Sequence, residues 1–315
     1  MRHDGSVPLT TTDPAPRPGA CSALSADEPL PGTAAHERRW TLLEFPGHWG
    51  RDVLDGEALG DELATRLRAH LAACGTRLLF VRRPGREGQH VARPRVHLCD
   101  TRPGGHHGLV GTVDGPADLL GLDLSGSTVP DGFRPLAGPL ALVCTHGRRD
   151  QCCAVRGRPV AAHLHAELGA RLHELDPDAG VWECSHTGGH RFAPVLLLPG
   201  TGYTYGSVTA AQHVGAVRAA LDGRVATTGL RGRSTWPPAG QVAEVAVRAS
   251  GLDAGVDELT VEVDADDPLG ARVAHVDGRC WEVRVSREPL PPRANSCGKA
   301  PGKAWAWRVD ELRAL

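Results

Sequence analysis

The chain is poor in lysine. Lys299 and Lys303 are the only two, and arginine carries nearly all the positive charge. Alongside abundant Ala, Gly, Pro and Val, this reads as the coding bias of a GC-rich genome, not as an arginine surface built for a task. Net charge is −2 with histidine neutral, so no basic excess points to nucleic acid. No run of about 18 apolar residues is present, so no transmembrane helix is read. The N-terminus lacks an apolar h-region, so no secretory signal is read and a cytoplasmic setting is expected. Residues 1–36 are rich in Thr, Pro and Ala, poor in large apolar side chains, and expected to form a mobile tail. A Cys-x-x-Cys pair is missing, which argues against thiol–disulfide exchange. No motif singles out the carboxylate pair that glycoside hydrolysis needs.

What remains is a globular composition. The 315 residues are 41% hydrophobic and 23% charged, enough for two domains with a real core. Nine cysteines without a secretory signal point to a metal or redox site and away from a disulfide scaffold.

Two segments concentrate that chemistry. Cys144-Thr-His-Gly-Arg-Arg-Asp-Gln-Cys152-Cys153 offers thiolates at Cys144 and Cys153, and Cys184-Ser-His186-Thr-Gly-Gly-His190-Arg-Phe offers imidazoles at His186 and His190. Two sulfur and two nitrogen donors complete a four-ligand set, suited to a [2Fe–2S] cluster or to tetrahedral zinc. Cys144 closes an apolar strand, and Cys153 is expected just before a helix, whose positive end favours thiolate. Gly188-Gly189 disfavours a helix between the histidines and suggests a loop wrapped round a centre.

Along the chain, strands are expected at Trp40–Phe45, Arg77–Val81, Arg95–Leu98 and Gly108–Val113. Helical spacing runs over Leu59–Ala73, and a short helix starts at Pro116–Leu120 with Asp114 as N-cap. The order then repeats. Strand Leu140–Val143 leads into Cys144, helix Pro159–Leu172 follows, and strands Val181–Cys184, Ala193–Leu198 and Tyr203–Val208 precede a helix capped by Thr209 and running to Leu221. Pro46-Gly-His48 falls opposite Cys144-Thr-His146, and Gly111-Thr-Val-Asp opposite Gly206-Ser-Val-Thr, so we read a weak internal duplication. The first copy has Pro46 in place of Cys144 and no His-Thr-Gly-Gly-His loop, leaving the second alone able to carry the site. Beyond residue 225, Val242–Arg248 reads as helix, and Leu259–Val263, Ala271–Val276, Cys280–Val285 and Trp305–Val309 as strands, with Pro289–Pro292 a proline-rich break.

Cys144-x-His146-x-x-Arg149-Asp150-x-x-Cys153, followed by Ser185-His186-x-Gly-Gly-His190-Arg191-Phe192-Ala193, resembles the sucrase/ferredoxin-like family. Looser matches are Gly32-Thr33-Ala34, Pro46-Gly47, Trp49-Gly50, Tyr205-Gly206, Arg231-Gly-Arg233-Ser234 and Ser296-Cys297-Gly298-Lys299. The resemblance implies an α/β chain with a thioredoxin-like [2Fe–2S] ferredoxin domain at 136–225. A degenerate, cluster-free thioredoxin-like copy at 37–135 would precede it, and a small α+β accessory region at 226–315 would follow. It implies Cys144, Cys153, His186 and His190 as ligands, His186 and His190 replacing the last cysteine pair of related four-cysteine ferredoxins. Neutral imidazole in place of thiolate should raise the potential. The implied activity is one-electron transfer with a partner such as a reductase; the alternative is a zinc-stabilised structural protein on the same ligands. Neither a nucleic acid nor a membrane partner is expected.

The neighbours have plainer readings. Cys152 is the rival of Cys153 by one residue. Cys184 should pack inward, His146 could face the centre or stabilise a turn, and Arg149 and Asp150 read as an ion pair or helix cap. Arg191 could shape a docking surface, and Cys297 reads as a surface thiol. His106-His107 reads as a solvated loop. Cys21, Cys74, Cys99 and Cys280 lack partner spacing and read as small apolar residues.

Overall fold

A computed structural model describes residues 17–104 and 108–315; His106 and His107 lie outside them. The architecture is mixed α/β. Its centre is a ten-stranded sheet, and a four-stranded sheet carries the C-terminal region.

Two runs of the same connectivity build the large sheet. In the first, β1 (Arg39–Glu44) leads through α2 (Asp61–Cys74) to β2 (Arg77–Arg82), parallel to β1, and then β3 (Arg95–Asp100) and β4 (Leu109–Thr112) fold back antiparallel beside β1. The short α1 (Cys21–Leu24) precedes this run, and a two-residue strand β5 (Arg134–Pro135) edges it. In the second, β6 (Leu140–Cys144), α3 (Gln151–Leu175), β7 (Gly180–Cys184), β8 (Val195–Leu198) and β9 (Tyr203–Gly206) repeat the pattern, followed by α4 (Ala210–Leu221) and β10 (Leu230–Arg233). The halves join edge to edge, β2 against β7, through Val81↔Cys184 and Arg82↔Glu183.

The strand ladders correct the alignment of the copies. Leu42 faces His97 where Leu142 faces Leu197, and Leu43 faces Val96 where Val143 faces Leu196. The offset there is therefore 100, and Glu44, not Pro46, stands where Cys144 stands. In the last hairpin Arg95 faces Thr112 where Val195 faces Gly206, which puts Thr112 rather than Gly111 opposite Gly206.

Alternation along the strands divides the core. Trp40, Leu42, Leu140, Leu142, Cys144, Trp182 and Cys184 share one apolar cluster spanning both halves. The opposite face of the second half, with Ala141, Val143 and Val181, is covered by α3 and α4. That of the first half, with Leu43, Leu78 and Phe80, is covered by α2. All five residues of β6 and of β7 are buried, as expected of strands covered on both sides.

Helix α3 is longer than its sequence suggests. Asp150 caps it, accepting from the Cys152 N–H at 2.9 Å, so Cys152 and Cys153 lie in its first turn instead of before it. Pro159 falls in the third turn on the exposed side; it marks no start, and costs one backbone hydrogen bond in a helix held by its one buried face. The Pro116 segment is a 3-10 turn reaching Gly121, where the carboxylate of Asp118 accepts from the N–H groups of Asp114 and Gly115.

Residues 17–36 differ from a mobile tail. Cys21, Ser22 and Ser25 are buried, and the Gly32 N–H donates to the Arg231 carbonyl at 2.9 Å. Polar pairing anchors this segment where large apolar side chains are lacking: Arg191 grips the buried Glu28 at 2.7 Å, and Arg231 donates to Thr33.

At the C-terminal side α5 (Pro238–Ala249) packs on the antiparallel meander β11 (Leu259–Glu262), β12 (Gly270–His275), β13 (Cys280–Arg293) and β14 (Gly302–Ala314). Pro289, Pro291 and Pro292 lie inside β13 and do not break it. Past Arg284 that strand pairs only with β14, so one edge needs no N–H donors, and a register shift after Leu290 absorbs the rest. No helix among the described residues is long and apolar enough to cross a membrane.

Candidate metal centre

Cys144, Cys153 and His186 converge at the ends of β6 and β7, where one donor atom from each lies within 4.8 Å of the others. Cys144 Sγ is 4.0 Å from His186 Nδ1. Close backbone approach makes this possible. A Cβ at Gly157 would collide with the carbonyl oxygen of Cys144, so a glycine there lets α3 lie against the end of β6 and brings Cys153 round to Cys144.

His190 begins a 3-10 turn, His190–Phe192, and its ring tilts against that of His186 with centroids 5.0 Å apart. Its Nδ1 is buried and makes no hydrogen bond, a costly state for a polar atom and one that a bound cation would relieve. Its Nε2 lies 3.9 Å from Asp150 Oδ2. Gly188 and Gly189 both have positive φ, +99° and +72°, so the turn between the histidines needs glycine.

The electrostatics suit metal binding. The Cys153 thiol donates to Cys144, and this contact, with His186 beside it, holds the Cys144 thiol well below the ordinary value; the same contact and burial push Cys153 well above it. Cys144 is therefore the thiol of the pair that ionises more readily. Burial first, then the neighbouring His186, lowers His190 and keeps its ring neutral with a lone pair free. Both cysteines are fully buried, whereas both histidines are half-buried.

A surrounding set of contacts fixes these side chains. His146 Nε2 donates to the Gly50 carbonyl at 2.6 Å, and its Nδ1 accepts from the His186 N–H at 3.2 Å. His146 thus holds the backbone of His186 and faces away from the donors. Arg77 donates to the His186 carbonyl at 2.9 Å. Ser185 pairs with Phe80 across the β2–β7 seam, N–H to carbonyl at 2.8 Å and hydroxyl to N–H at 3.0 Å. Arg231 is 1% exposed and donates to the Gly188 carbonyl at 3.2 Å; burial lowers its guanidinium to about 9. Sequence reasoning registered Arg231 only as a loose motif match and missed Gly157, because nothing local marks either as near the cysteines.

The remaining candidates sort clearly. Asp150 is the helix cap, and Arg191 is taken up by Glu28 instead of a docking surface. Cys184 packs inward, fully buried. The Cys152 Sγ points away from Cys144 into a different group, with Cys21, Cys297 and Asp150. Cys21 and Cys297 are therefore neither an isolated apolar filler nor a plain surface thiol. A largely apolar cavity of about 440 Å³ beside Trp40 and Cys99 includes none of these donors; a smaller one of about 290 Å³ reaches His146 and His186.

A family model described as sucrase/ferredoxin-like matches residues 30–232. It spans Cys144, Cys153, His186 and His190 and leaves Cys21 and Cys297 outside. No curated protein and no solved structure matches the chain. With well over half of the 315 residues matched, the chain belongs to the sucrase/ferredoxin-like family.

Proposed function

We propose that the chain is a one-electron carrier with a [2Fe–2S] cluster on Cys144, Cys153, His186 and His190, set in a thioredoxin-like half at 136–225. The observation that carries this reading is the convergence of two buried thiols and one imidazole beside a second imidazole whose buried Nδ1 has no partner. The order β9-β8-β6-β7, with a parallel β-α-β unit and an antiparallel hairpin, supports the thioredoxin-like reading.

Bound there, a [2Fe–2S] cluster supplies one-electron redox chemistry. Cys144 and Cys153 would hold it as thiolates, so loading would be favoured as pH rises. His186 and His190 bind as neutral imidazoles. His190 lies outside the three-donor group and would have to bring its unpaired Nδ1 to the centre, with its Nε2 3.9 Å from Asp150 Oδ2. The half-buried histidines form the side at which a redox partner such as a reductase docks, while the buried cysteines exclude water.

Zinc is the second reading, favoured by one observation: the three donor atoms lie within 4.8 Å of one another, near enough for a small shift to bring them onto a single tetrahedral ion. A visible spectrum of protein purified without oxygen, with iron, sulfide and zinc assayed together, decides between them. About two irons and two sulfides per chain are expected. A colourless protein that holds zinc at Cys144 and cannot be reconstituted with iron and sulfide would exclude the cluster. On the cluster, His186→Cys should lower the potential and weaken its pH dependence; unchanged voltammetry would remove His186 from the ligand set.

A further inference from the structure

Three cysteines far apart in the chain meet beside the first centre. Cys152 Sγ lies 3.2 Å from Cys297 Sγ and 3.6 Å from Cys21 Sγ, and Cys297 Sγ lies 3.5 Å from Cys21 Sγ. They come from α1, the first turn of α3 and the loop before β14, with 131 to 276 residues between members. Packing alone does not require three sulfurs in mutual contact, since a cysteine used as a small apolar residue needs no second thiol.

The carboxylate of Asp150 completes the group. Its two oxygens are 3.6 and 3.7 Å from Cys21 Sγ. The side chain is fully buried, and among the described residues its one possible cationic neighbour within ion-pair range is His190, at 3.9 Å. Three donors hold it: the N–H of Cys152 at 2.9 Å on one oxygen, and the Ser296 hydroxyl at 2.9 Å and the Cys297 N–H at 2.8 Å on the other. The Cys21 thiol is a fourth donor, 3.6 Å from the oxygen shared with Cys152, so a thiolate at Cys21 would leave that oxygen free for a cation. These donors favour the ionised carboxylate, and among the described residues no arginine or lysine pairs with it, so its charge is available to balance a cation.

From this geometry we propose a second metal site, a tetrahedral zinc site of three thiolates and one carboxylate, formed by Cys21, Cys152, Cys297 and Asp150. Zinc–sulfur bonds of about 2.3 Å at tetrahedral angles put sulfurs roughly 3.8 Å apart, and sulfur and oxygen roughly 3.5 Å apart. The sulfurs need to spread by roughly 0.2 to 0.6 Å, and the carboxylate oxygens already stand near the required separation from Cys21 Sγ, with all four donors within 4.8 Å of one another. The Ser22 hydroxyl donates to Cys152 Sγ at 3.3 Å and the two backbone N–H groups orient Asp150, the outer contacts a metal site needs. Cys297 is half-buried and gives the ion a way in. The bound ion would tie the N-terminal segment and the loop before β14 to the start of α3. Cys21 and Cys297 lie outside the residues that the family model matches.

The test is zinc analysis of the full-length chain, reduced and supplied with zinc, alongside Cys144→Ser and Cys297→Ser. We expect about one zinc per chain that survives Cys144→Ser, with a zinc-edge X-ray absorption shell of three sulfurs near 2.3 Å and one oxygen near 2.0 Å. Cys297→Ser should weaken zinc retention against a chelator at least tenfold while leaving iron and sulfide unchanged. Zinc lost on Cys144→Ser but kept in Cys297→Ser, or less than a tenth of an equivalent in the parent chain, would overturn the site. So would a Cys152–Cys297 disulfide that persists in reductant. Because the zinc is read in Cys144→Ser protein, failure of the cluster assignment leaves this result independent. Should Cys297→Ser not fold, the absorption shell of the parent chain decides alone.

Discussion

The two halves of the large sheet end their first strands differently. Glu44 closes β1 on the inner face where Cys144 closes β6. Buried Glu44 is answered within its own half: Arg95 donates to it through its guanidinium at 3.0 Å and its N–H at 3.2 Å, and also holds Asp178 at 2.7 Å. Cys144 instead faces a thiol and an imidazole. Loop length separates the two outcomes. Seven positions separate Cys144 from Gln151 at the start of α3, but seventeen separate Glu44 from Asp61 at the start of α2. Only the short loop sets a helix N-terminus against the strand end, and only there can a first-turn side chain such as Cys153 reach the strand terminus. An equivalent strand position becomes a ligand site when the connection brings a second donor to it, and an ion pair when it does not.

The largest expected effect breaks the second half. Cys144→Ser or Cys153→Ser should abolish bound iron and sulfide, while Cys152→Ser should leave them; iron and sulfide assays on the three variants decide, and the reverse pattern would move the ligand register by one residue.

Next comes pH. His97 lies where the second half has Leu197, fully buried against Trp182, with Nε2 3.1 Å from the Asp178 carbonyl. Burial lowers it to about 4 from an ordinary 6.5. Between those values the unfolded chain binds a proton that the folded chain does not. This contribution is therefore complete above pH 6.5, is lost as pH falls toward 4, and amounts to at most about 3 kcal/mol. Urea unfolding across that window should show the slope, and His97→Leu should flatten it.

Gly157→Ala tests the close approach. The added methyl meets the Cys144 carbonyl, and we expect a loss of about 2 kcal/mol in urea unfolding together with lower iron occupancy. Unchanged stability would show that α3 can shift without cost. The smallest effect belongs to the first half. Glu44→Cys should destabilise by about 1 kcal/mol, because Arg95 is a third exposed and keeps Asp178, and should add no further iron. Extra iron in that variant would refute the role given to loop length.

Much of this was legible in the sequence, for identifiable reasons. Strand β6 is an unbroken apolar run, and Thr209 with Gln212 signs the start of α4 by side-chain capping. The four proposed ligands stand in two compact segments that also carry the family resemblance. Local chemistry misled at Pro159, which resembles a helix start but sits on an exposed face, and at Pro289–Pro292, which stay in a strand with one unpaired edge. Identities around His48 and His146 slid the copies by two residues because they lie in loops of unequal length, whereas the ladders fix the true register. Cys21, Cys152 and Cys297 had no local signal at all. Their meeting depends on long-range packing, and spacing along a chain carries no trace of it.

The inner core bears on how the chain can be divided. The backbone seam between the halves is short, two ladder pairs and the Ser185–Phe80 bond, and beside it Trp40 and Leu42 share one apolar cluster with Leu142 and Val195. A cut between β5 and β6 would strand the arginines that cross to Glu183, Asp176 and Asp178, and would bare an oily face on each fragment. Neither piece is then expected to stand alone in water, and the sheet should melt as one cooperative unit, with the first half serving as an inseparable wall for the second.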